Sequence, residues 1–422
     1  MKLLKKIKWF YPGIRVKRWI SLGVVGIALT IIGTVRFTAN TDDYLRWLDF
    51  LIILSGVYLI ISGVRSVVRS FISIFLPYEN SELVDIVYKQ RYLQRGPKIV
   101  AIGGGHGLSS LLMGLKEYTT NLIAIVTVAD SGGSTGRLRD EFDVQAPGDL
   151  RNCIVALADA SPLMGDLFQY RFKKDSELKG HNFGNLFITA MTQLTGDFKK
   201  AIEESSRILA IRGKVFPSTI NNVNLVAKYK DGSYVEGEAM IPEKGMPIDR
   251  VYLKVKPSEK NKKIQATPET IEAIKKAELI VIGPGSLYTS ILPNLVIDEI
   301  SEAIAKSKAL KIYVCNVMTQ HGETDNYSTS DHVKTLIKHT NPKIIDYCII
   351  NDTKPWQREL LEKYSKEKAY PTKVDTDEVR RMGYKVLEKN IISESNFLRH
   401  DHKKLARAIM NLYRREAARK EF

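Results

Sequence analysis

The hydrophobic pattern of this 422-residue chain changes character near residue 97. Before that point the apolar residues form long, nearly unbroken runs. Trp19 to Val35 carries no charge between Arg18 and Arg36, and Leu45 to Val64 is broken only by Arg46 and Asp49 near its start. Each run approaches the ~20 residues that a membrane-spanning helix needs. The loop from Phe37 to Tyr44 is very short, so residues 1–76 read as a hairpin of two spans, about 19–35 and 45–64. Asp49 lies near the membrane edge and is expected to snorkel. Phe71 to Leu76 is a further apolar patch before Pro77, expected on the bilayer surface. Residues 77–97 read as a charged connector, helical around Ser81 to Tyr92 and ended by Gly96-Pro97.

After residue 97 the apolar runs shorten and alternate with helical spacing. Lys98-Ile99-Val100-Ala101-Ile102 stops at Gly103-Gly104-Gly105-His106-Gly107, and Leu108 to Leu115 follows with helical periodicity. A buried strand feeding a glycine turn feeding a helix is how a doubly wound sheet begins. Asn121 to Val128 is a second such strand and ends at Ala129-Asp130-Ser131-Gly132-Gly133. Ala277 to Ile282 is another, ending at Gly283-Pro284-Gly285-Ser286, and Ile312 to Cys315 and Ile344 to Ile350 continue the series. Val223 to Tyr229 and Tyr234 to Ile241 instead alternate around Asp231-Gly232, a hairpin signal. With Val251 to Val255 they make a small antiparallel insertion at about 222–256. The predicted fold is α/β. A Rossmann-like, doubly wound, mainly parallel sheet occupies residues 98–422 with that insertion, and two transmembrane helices precede it.

The glycines bring in chemistry. Without Cβ atoms, backbone N–H groups at a helix start approach an anion closely, and the helix dipole favours negative charge there. Gly103, Gly104, Gly105, His106 and Gly107 therefore read as a phosphate or nucleotide cradle. Leu108 stands where the dinucleotide fingerprint has its third glycine, so a standard NAD site is not expected. Asp130 and Ser131 end the second strand, where an acidic residue binds ribose or substrate hydroxyls or a metal; an Asx-turn is the alternative. Gly283, Pro284, Gly285 and Ser286 repeat the opening logic, and two such loops face each other across a topological switch point. Asn316 also sits at a strand end. Asn185, in the first turn of an apolar helix, needs a partner if buried, either a ligand or a neighbouring loop. Weaker candidates are Arg151 and Asn152 behind Asp149, itself read as an N-cap; Arg212 and Thr219 in a basic, hydroxyl-bearing loop; and Arg399 before the last helix. His321, Glu323 and Asp325 lack metal-ligand spacing and read as a solvated loop, so no metal site is predicted.

Charge and cysteine usage refine the picture. The net charge is +16, but residues 1–98 hold fifteen Lys/Arg against six Asp/Glu, so most of the excess flanks the spans. That position argues against nucleic acid as the partner. Basic residues precede the first span and Arg65 and Arg69 follow the second, so both termini and the main domain are expected in the cytoplasm of a multi-pass cell-membrane protein. A cleaved signal peptide is disfavoured, because no small-residue cleavage site follows the first run and a second span does. Cys153, Cys315 and Cys348 lie in apolar runs without C-x-x-C spacing and read as buried thiols.

The blocks Ile102 to Ser109, Thr127 to Ser134, Pro147 to Asn152, Gly184 to Phe187, Gly283 to Asn294 and Met318-Thr319-Gln320 together resemble the YvcK-like family of putative gluconeogenesis factors. The resemblance covers about residues 97–415, and that family is similar to the CofD-like 2-phospho-L-lactate transferases. It implies a CofD-like fold with nucleotide at the strand ends. It also implies binding of UDP-sugars such as UDP-N-acetylglucosamine, and a role in cell shape and growth on gluconeogenic carbon, with cell-wall synthesis or regulatory proteins as partners. No cofactor is required on this reading, and Mg²⁺ remains an option at Asp130. The chain departs from the family pattern at His106, where Thr is usual, and at Ser131, where Asp is usual. Loss of that second carboxylate favours a binding regulator over a transferase moving a phosphorylated group from a nucleoside-diphosphate donor. The usual members also lack the hairpin. Oligomeric state is left open, with a homo-oligomer allowed.

Overall fold

The computed structural model describes residues 16–75, 91–173, 176–257, 263–352, 358–393 and 399–420. The chain divides into two compact units, Met1–Tyr88 and Lys89–Phe422. The connector helix expected around residues 81–92 falls almost wholly outside the described residues.

The first unit is two helices, α1 (Val16–Ala39) and α2 (Asp43–Phe75). Their apolar portions, Arg18–Ala39 and Asp43–Ser70, are 22 and 28 residues long. At a ~1.5 Å rise per residue, even the shorter one reaches the ~30 Å of a bilayer's hydrocarbon core. No proline intervenes before Pro77, so Phe71 to Phe75 is the tail of α2 and not a separate surface patch. The two helices close on glycines. A Cβ at Gly26 would sit 2.6 Å from the Gly56 carbonyl oxygen, and one at Gly56 would sit 2.4 Å from the Thr30 hydroxyl. Small residues at such a seam let backbones approach. Asp49 does not snorkel. It is fully buried between the helices, where Arg36 Nε lies 3.0 Å away and the Asn40 amide donates to it. A carboxylate removed from water needs such partners; one comes from α1 and the other from the residue just after it. The outward faces are apolar, with Val24, Ile31, Leu51 and Ile61 all exposed.

The second unit is built on ten strands: β1 (Ile99–Gly103), β2 (Leu122–Val126), β3 (Lys214–Pro217), β4 (Val223–Tyr229), β5 (Tyr234–Glu236), β6 (Ile248–Val255), β7 (Leu279–Ile282), β8 (Leu310–Val314), β9 (Tyr347–Asn351) and β10 (Lys385–Lys389). Its helices, in order, are α3 (Gly105–Leu115), α4 (Gly133–Phe142), α5 (Gly148–Leu157), α6 (Pro162–Gln169), α7 (Phe183–Thr195), α8 (Phe198–Ile208), α9 (Pro268–Lys276), α10 (Leu292–Leu295), α11 (Asp298–Lys306), α12 (Thr329–His339), α13 (Arg358–Lys366), α14 (Thr376–Arg381) and α15 (His402–Lys420). Seven strands form one parallel sheet in the order β10-β9-β8-β7-β1-β2-β3. β1, β2 and β7 carry no polar side chain because both faces of the sheet are covered there. Ile99 and Ala101 of β1 point to a core shared with α3, α5 and α15, whereas Val100 and Ile102 point to one shared with α9, α11 and α12.

The strand order reverses at β1. From there the chain winds outward through β2 and β3, then returns to β7 on the other side and winds out to β10. The loops after β1 and β7 therefore part from neighbouring strands in opposite directions, which opens a crevice at the carboxyl edge. β4, β5 and β6 form a separate antiparallel sheet in the order β5-β4-β6. The strand expected to run to Ile241 stops at Glu236. Gly237 takes φ +104°, and two short 3₁₀ turns follow, Glu238–Met240 and Pro242–Lys244. Pro242 has no N–H for a ladder, which favours a turn there.

Candidate functional site

The two glycine loops meet at the switch point and line one side of a cleft of about 360 Å³. Each glycine is there for its own reason. Gly105 takes φ +60°, a left-handed conformation in which a Cβ crowds the carbonyl. Gly107 lies against the second loop, where an added Cβ would come 2.4 Å from the Pro284 carbonyl oxygen. Gly104 lies against Asp149, whose Oδ2 would be 2.5 Å from such a Cβ. The loops are tied by buried Asn294, which donates to the Gly103 carbonyl at 3.0 Å and to the Ser290 carbonyl at 2.8 Å. Gln320 donates to Ser286 Oγ at 2.6 Å and accepts from Asn316 Nδ2 at 3.4 Å, so the loop after β8 forms a further wall. His106, Gly285, Ser286, Asn316 and Arg399 all line this cleft. Burial holds the His106 pKa below its usual value, and the charges of Arg399 and Arg151 push it the same way. This side of the cleft is therefore positive and rich in donors.

Carboxylates gather on the other side of the first loop. Asp130 closes an Asx-turn, with Oδ1 accepting from the Gly132 N–H at 2.9 Å. Its Oδ2 lies against Gly148, where a Cβ would come within 2.6 Å. Asp149 was expected to cap a helix. It makes no cap, because α5 starts at Gly148 behind Pro147, and Asp149 instead accepts the Gly105 N–H. Burial and then the neighbouring Asp130 push its pKa up to about 8. Glu238, on the first 3₁₀ turn of the insertion, is pushed up to about 7 by burial, then by Asp130 and Glu323. Ser131 joins the insertion to this edge: its N–H donates to Glu238 and its Oγ accepts from the Ala239 N–H at 3.1 Å. Asp149 and Glu238 thus bring two further carboxyl groups within electrostatic reach of Asp130.

Other predicted residues have different surroundings. Asn185 is buried and its partners are protein groups. Arg151 donates to its Oδ1 at 2.8 Å, and its Nδ2 donates to Ser134 and Thr135, each at 3.3 Å. Arg151 also donates to Asn152 at 2.7 Å. Burial and then Arg171 lower the Arg151 pKa to about 10. These three residues form a scaffold under the Asp130 loop and do not line the two-loop cleft. Thr219 is buried and bonded to Asn221. Arg212 pairs with Asp159 just before β3, at the amino edge of the parallel sheet and so opposite the cleft. Glu323 is not solvated as expected. It is buried, accepts Thr289 Oγ1 at 3.2 Å and the N–H groups of Tyr288 and Thr289, and burial pushes it up to about 7. His321 and Asp325 bond each other at 3.1 Å on the surface.

Among the described residues, no group of three or more His, Cys, Asp or Glu side chains is placed to hold a metal ion. Asn294, Gln320, Asp149 and Glu238 were missed as site residues. Gly148 beside Asp149 was a signal, since only a glycine tolerates Asp130 so close. Glu238 had none, because its place depends on how the insertion folds back.

Comparison with known proteins places the fold among relatives. Residues 99–392 match the family described as 2-phospho-L-lactate transferase CofD. A putative gluconeogenesis factor of Nostoc sp. is 41% identical and covers 96% of this chain and 92% of its own. The gluconeogenesis factor of Bacillus subtilis is 48% identical, covering 75% of this chain and 98% of its own. A crystal structure of a Bacillus halodurans protein superposes with a TM-score of 0.72 at 45% identity, over 75% of this chain and 100% of that one. The first of these alignments extends into the N-terminal quarter; the other two correspond in extent to the second unit alone.

Proposed function

The chain belongs to the 2-phospho-L-lactate transferase CofD family, beside the gluconeogenesis factors, and from that premise we propose a membrane-tethered nucleotide-sugar sensor. Its ligand is of the UDP-N-acetylglucosamine class, and it acts on cell-wall synthesis, cell shape and growth on gluconeogenic carbon. The observation that carries this reading is the pairing of a donor-rich two-loop cleft with carboxylates next to it. A diphosphate takes the backbone N–H groups of the glycine loops and the charge of Arg399. Hydroxyls of the ribose or sugar donate to Asp130 and Glu238. The hairpin holds the domain at the membrane, where wall precursors are handled, and so raises its local concentration there.

The test is calorimetric titration of the full-length protein in nanodiscs with UDP-N-acetylglucosamine, followed by mass spectrometry of the recovered nucleotide. Saturable binding with the ligand returned intact supports the sensor. An absence of binding removes it.

A second reading draws on Asp149. An acid pair beside a phosphate cradle is what a transferase needs to hold an acceptor hydroxyl and take its proton. On this reading Asp130 orients the acceptor hydroxyl and takes its proton as that oxygen bonds to the distal phosphorus of a nucleoside-diphosphate donor held by the two loops; the bond from that phosphorus to the bridging oxygen breaks, and the nucleoside monophosphate leaves with the electron pair. Formation of a nucleoside monophosphate in the same incubation, with a candidate hydroxyl acceptor added, selects this reading over the sensor.

A further inference from the structure

A second cavity, about 550 Å³ and larger than the two-loop cleft, lies between edge strand β10 and helix α15. On the helix side its lining residues are Lys404, Arg407, Ala408, Asn411, Leu412 and Arg415. These recur three or four apart, so they form one stripe along α15. On the sheet side Leu387 and Lys389 project from β10 two residues apart, hence to the same face. The result is a trough with a rim of four cations and an apolar floor of half-buried Leu387 and Ala408, beneath which Leu412 is buried. Among the described residues, no carboxylate lines it.

Lys389 and Arg407 are exposed and have no ion pair among the described residues. Arg415 only approaches Glu416 at 3.7 Å, and Lys404 donates to the Ile392 carbonyl at 3.1 Å. Helix α14 packs against β10 from the opposite face, where Val386 points, whereas Leu387 points to the α15 side.

We propose that this groove docks an acidic amphipathic segment of a partner protein, with its apolar side chains on the Leu387–Ala408 floor and its carboxylates on Lys389, Arg407 and Arg415. The geometry favours this over other anions. The stripe from Lys404 to Arg415 spans eleven residues of helix, about 16 Å, so its charges do not converge on one phosphate. The leucine floor is recessed below the cations, and a flat lipid surface would meet the cations and leave the floor uncovered. Exposed ion pairs are individually weak, so the segment needs the apolar floor for affinity and the cations for selectivity.

The test uses the full-length protein in phosphatidylcholine nanodiscs and a displayed library of random twelve-residue peptides. The expected pool is enriched in Asp and Glu interleaved with Leu, Ile or Phe. Its members should bind the Arg407→Glu/Arg415→Glu variant at least tenfold more weakly and lose affinity as salt is raised. The milder Lys389→Ala/Arg407→Ala variant should lie between the two, which guards against a folding defect in the double reversal. Nucleotide-sugar affinity should be the same in all three proteins. Failure to enrich, enrichment without acidic residues, or equal binding by the variants would overturn the proposal. So would capture of phosphatidylglycerol vesicles, lost in the double reversal, by a protein that enriches no peptide; that result assigns the groove to the membrane.

Discussion

At the scale of single residues, Asp149 makes the sharpest prediction. Its carboxyl keeps a proton up to about pH 8 in the folded chain, against an ordinary value of 3.8. Between those values the folded state binds more protons than the unfolded state, so this group makes stability fall as pH rises. Glu238, raised to about 7, acts in the same direction over a narrower window. Asp149→Asn retains an acceptor for the Gly105 N–H and cannot ionise. It should flatten the decline between pH 5 and 8 and stabilise the domain at pH 8 by at least one pK unit's worth, ~1.4 kcal/mol. Denaturant midpoints at pH 5 and 8 measure this, and an unchanged slope would mean that the carboxyl ionises freely. The glycines separate in the same way. Gly105→Ala has room, since the nearest atom to its Cβ is 3.7 Å away, and costs only the left-handed strain of ~1–2 kcal/mol. Gly107→Ala drives a Cβ into the Pro284 backbone, so the loops must part. It should lose more stability than Gly105→Ala and weaken nucleotide-sugar binding by tenfold or more, as read by thermal melts and calorimetry on both variants.

Single elements explain what the sequence could and could not tell. The strand–glycine–helix units were legible because an apolar run that stops at glycines has few other uses, and the two loops do meet at the point where strand order reverses. Arg212 was misread because sequence proximity to Thr219 hides that β3 runs between them, which sends one residue to each edge of the sheet. Asp149 was misread because an acidic residue near a helix start looks like a cap whether or not it bonds there. The insertion was legible as a hairpin, but Gly237 and Pro242 turn its second strand into 3₁₀ turns that return Glu238 to the cleft. That fold-back makes a prediction of its own. Ser131 holds the turn through its N–H and its Oγ, so Ser131→Ala should lower nucleotide-sugar affinity severalfold through the loss of one hydrogen bond, ~1 kcal/mol. Glu238→Gln should lower affinity without loosening the turn, since it still accepts the Ser131 N–H. Equal proteolytic sensitivity of the 238–244 segment in wild type and Ser131→Ala would break this link.

For the whole molecule, the question is what the hairpin adds to a domain that is complete without it. Relatives such as the Bacillus subtilis protein align over 98% of their own length with only 75% of this chain, so the α/β unit folds in nature without a hairpin of this kind. The hairpin in turn holds itself together through its glycine seam and through buried Asp49, which the half-exposed Arg36 reaches. Thr41, between the two helices, should lie outside the cytoplasm, with Lys89 onward inside, as the basic flanks require. A cysteine placed at residue 41, with Cys153, Cys315 and Cys348 left buried, should react with a membrane-impermeant maleimide on intact cells. One placed at exposed Lys403 should react only after lysis. Arg36 is more than half exposed, so in Asp49→Ala its guanidinium can turn to water, and the change should cost the hairpin no more than ~1 kcal/mol. The fragment 89–422 should bind the nucleotide sugar as tightly as the full chain yet fractionate as a soluble protein. If it also restores normal cell shape as well as the full chain does, the tether is not part of the function. If it binds fully and restores nothing, location is what the extra quarter of the chain supplies.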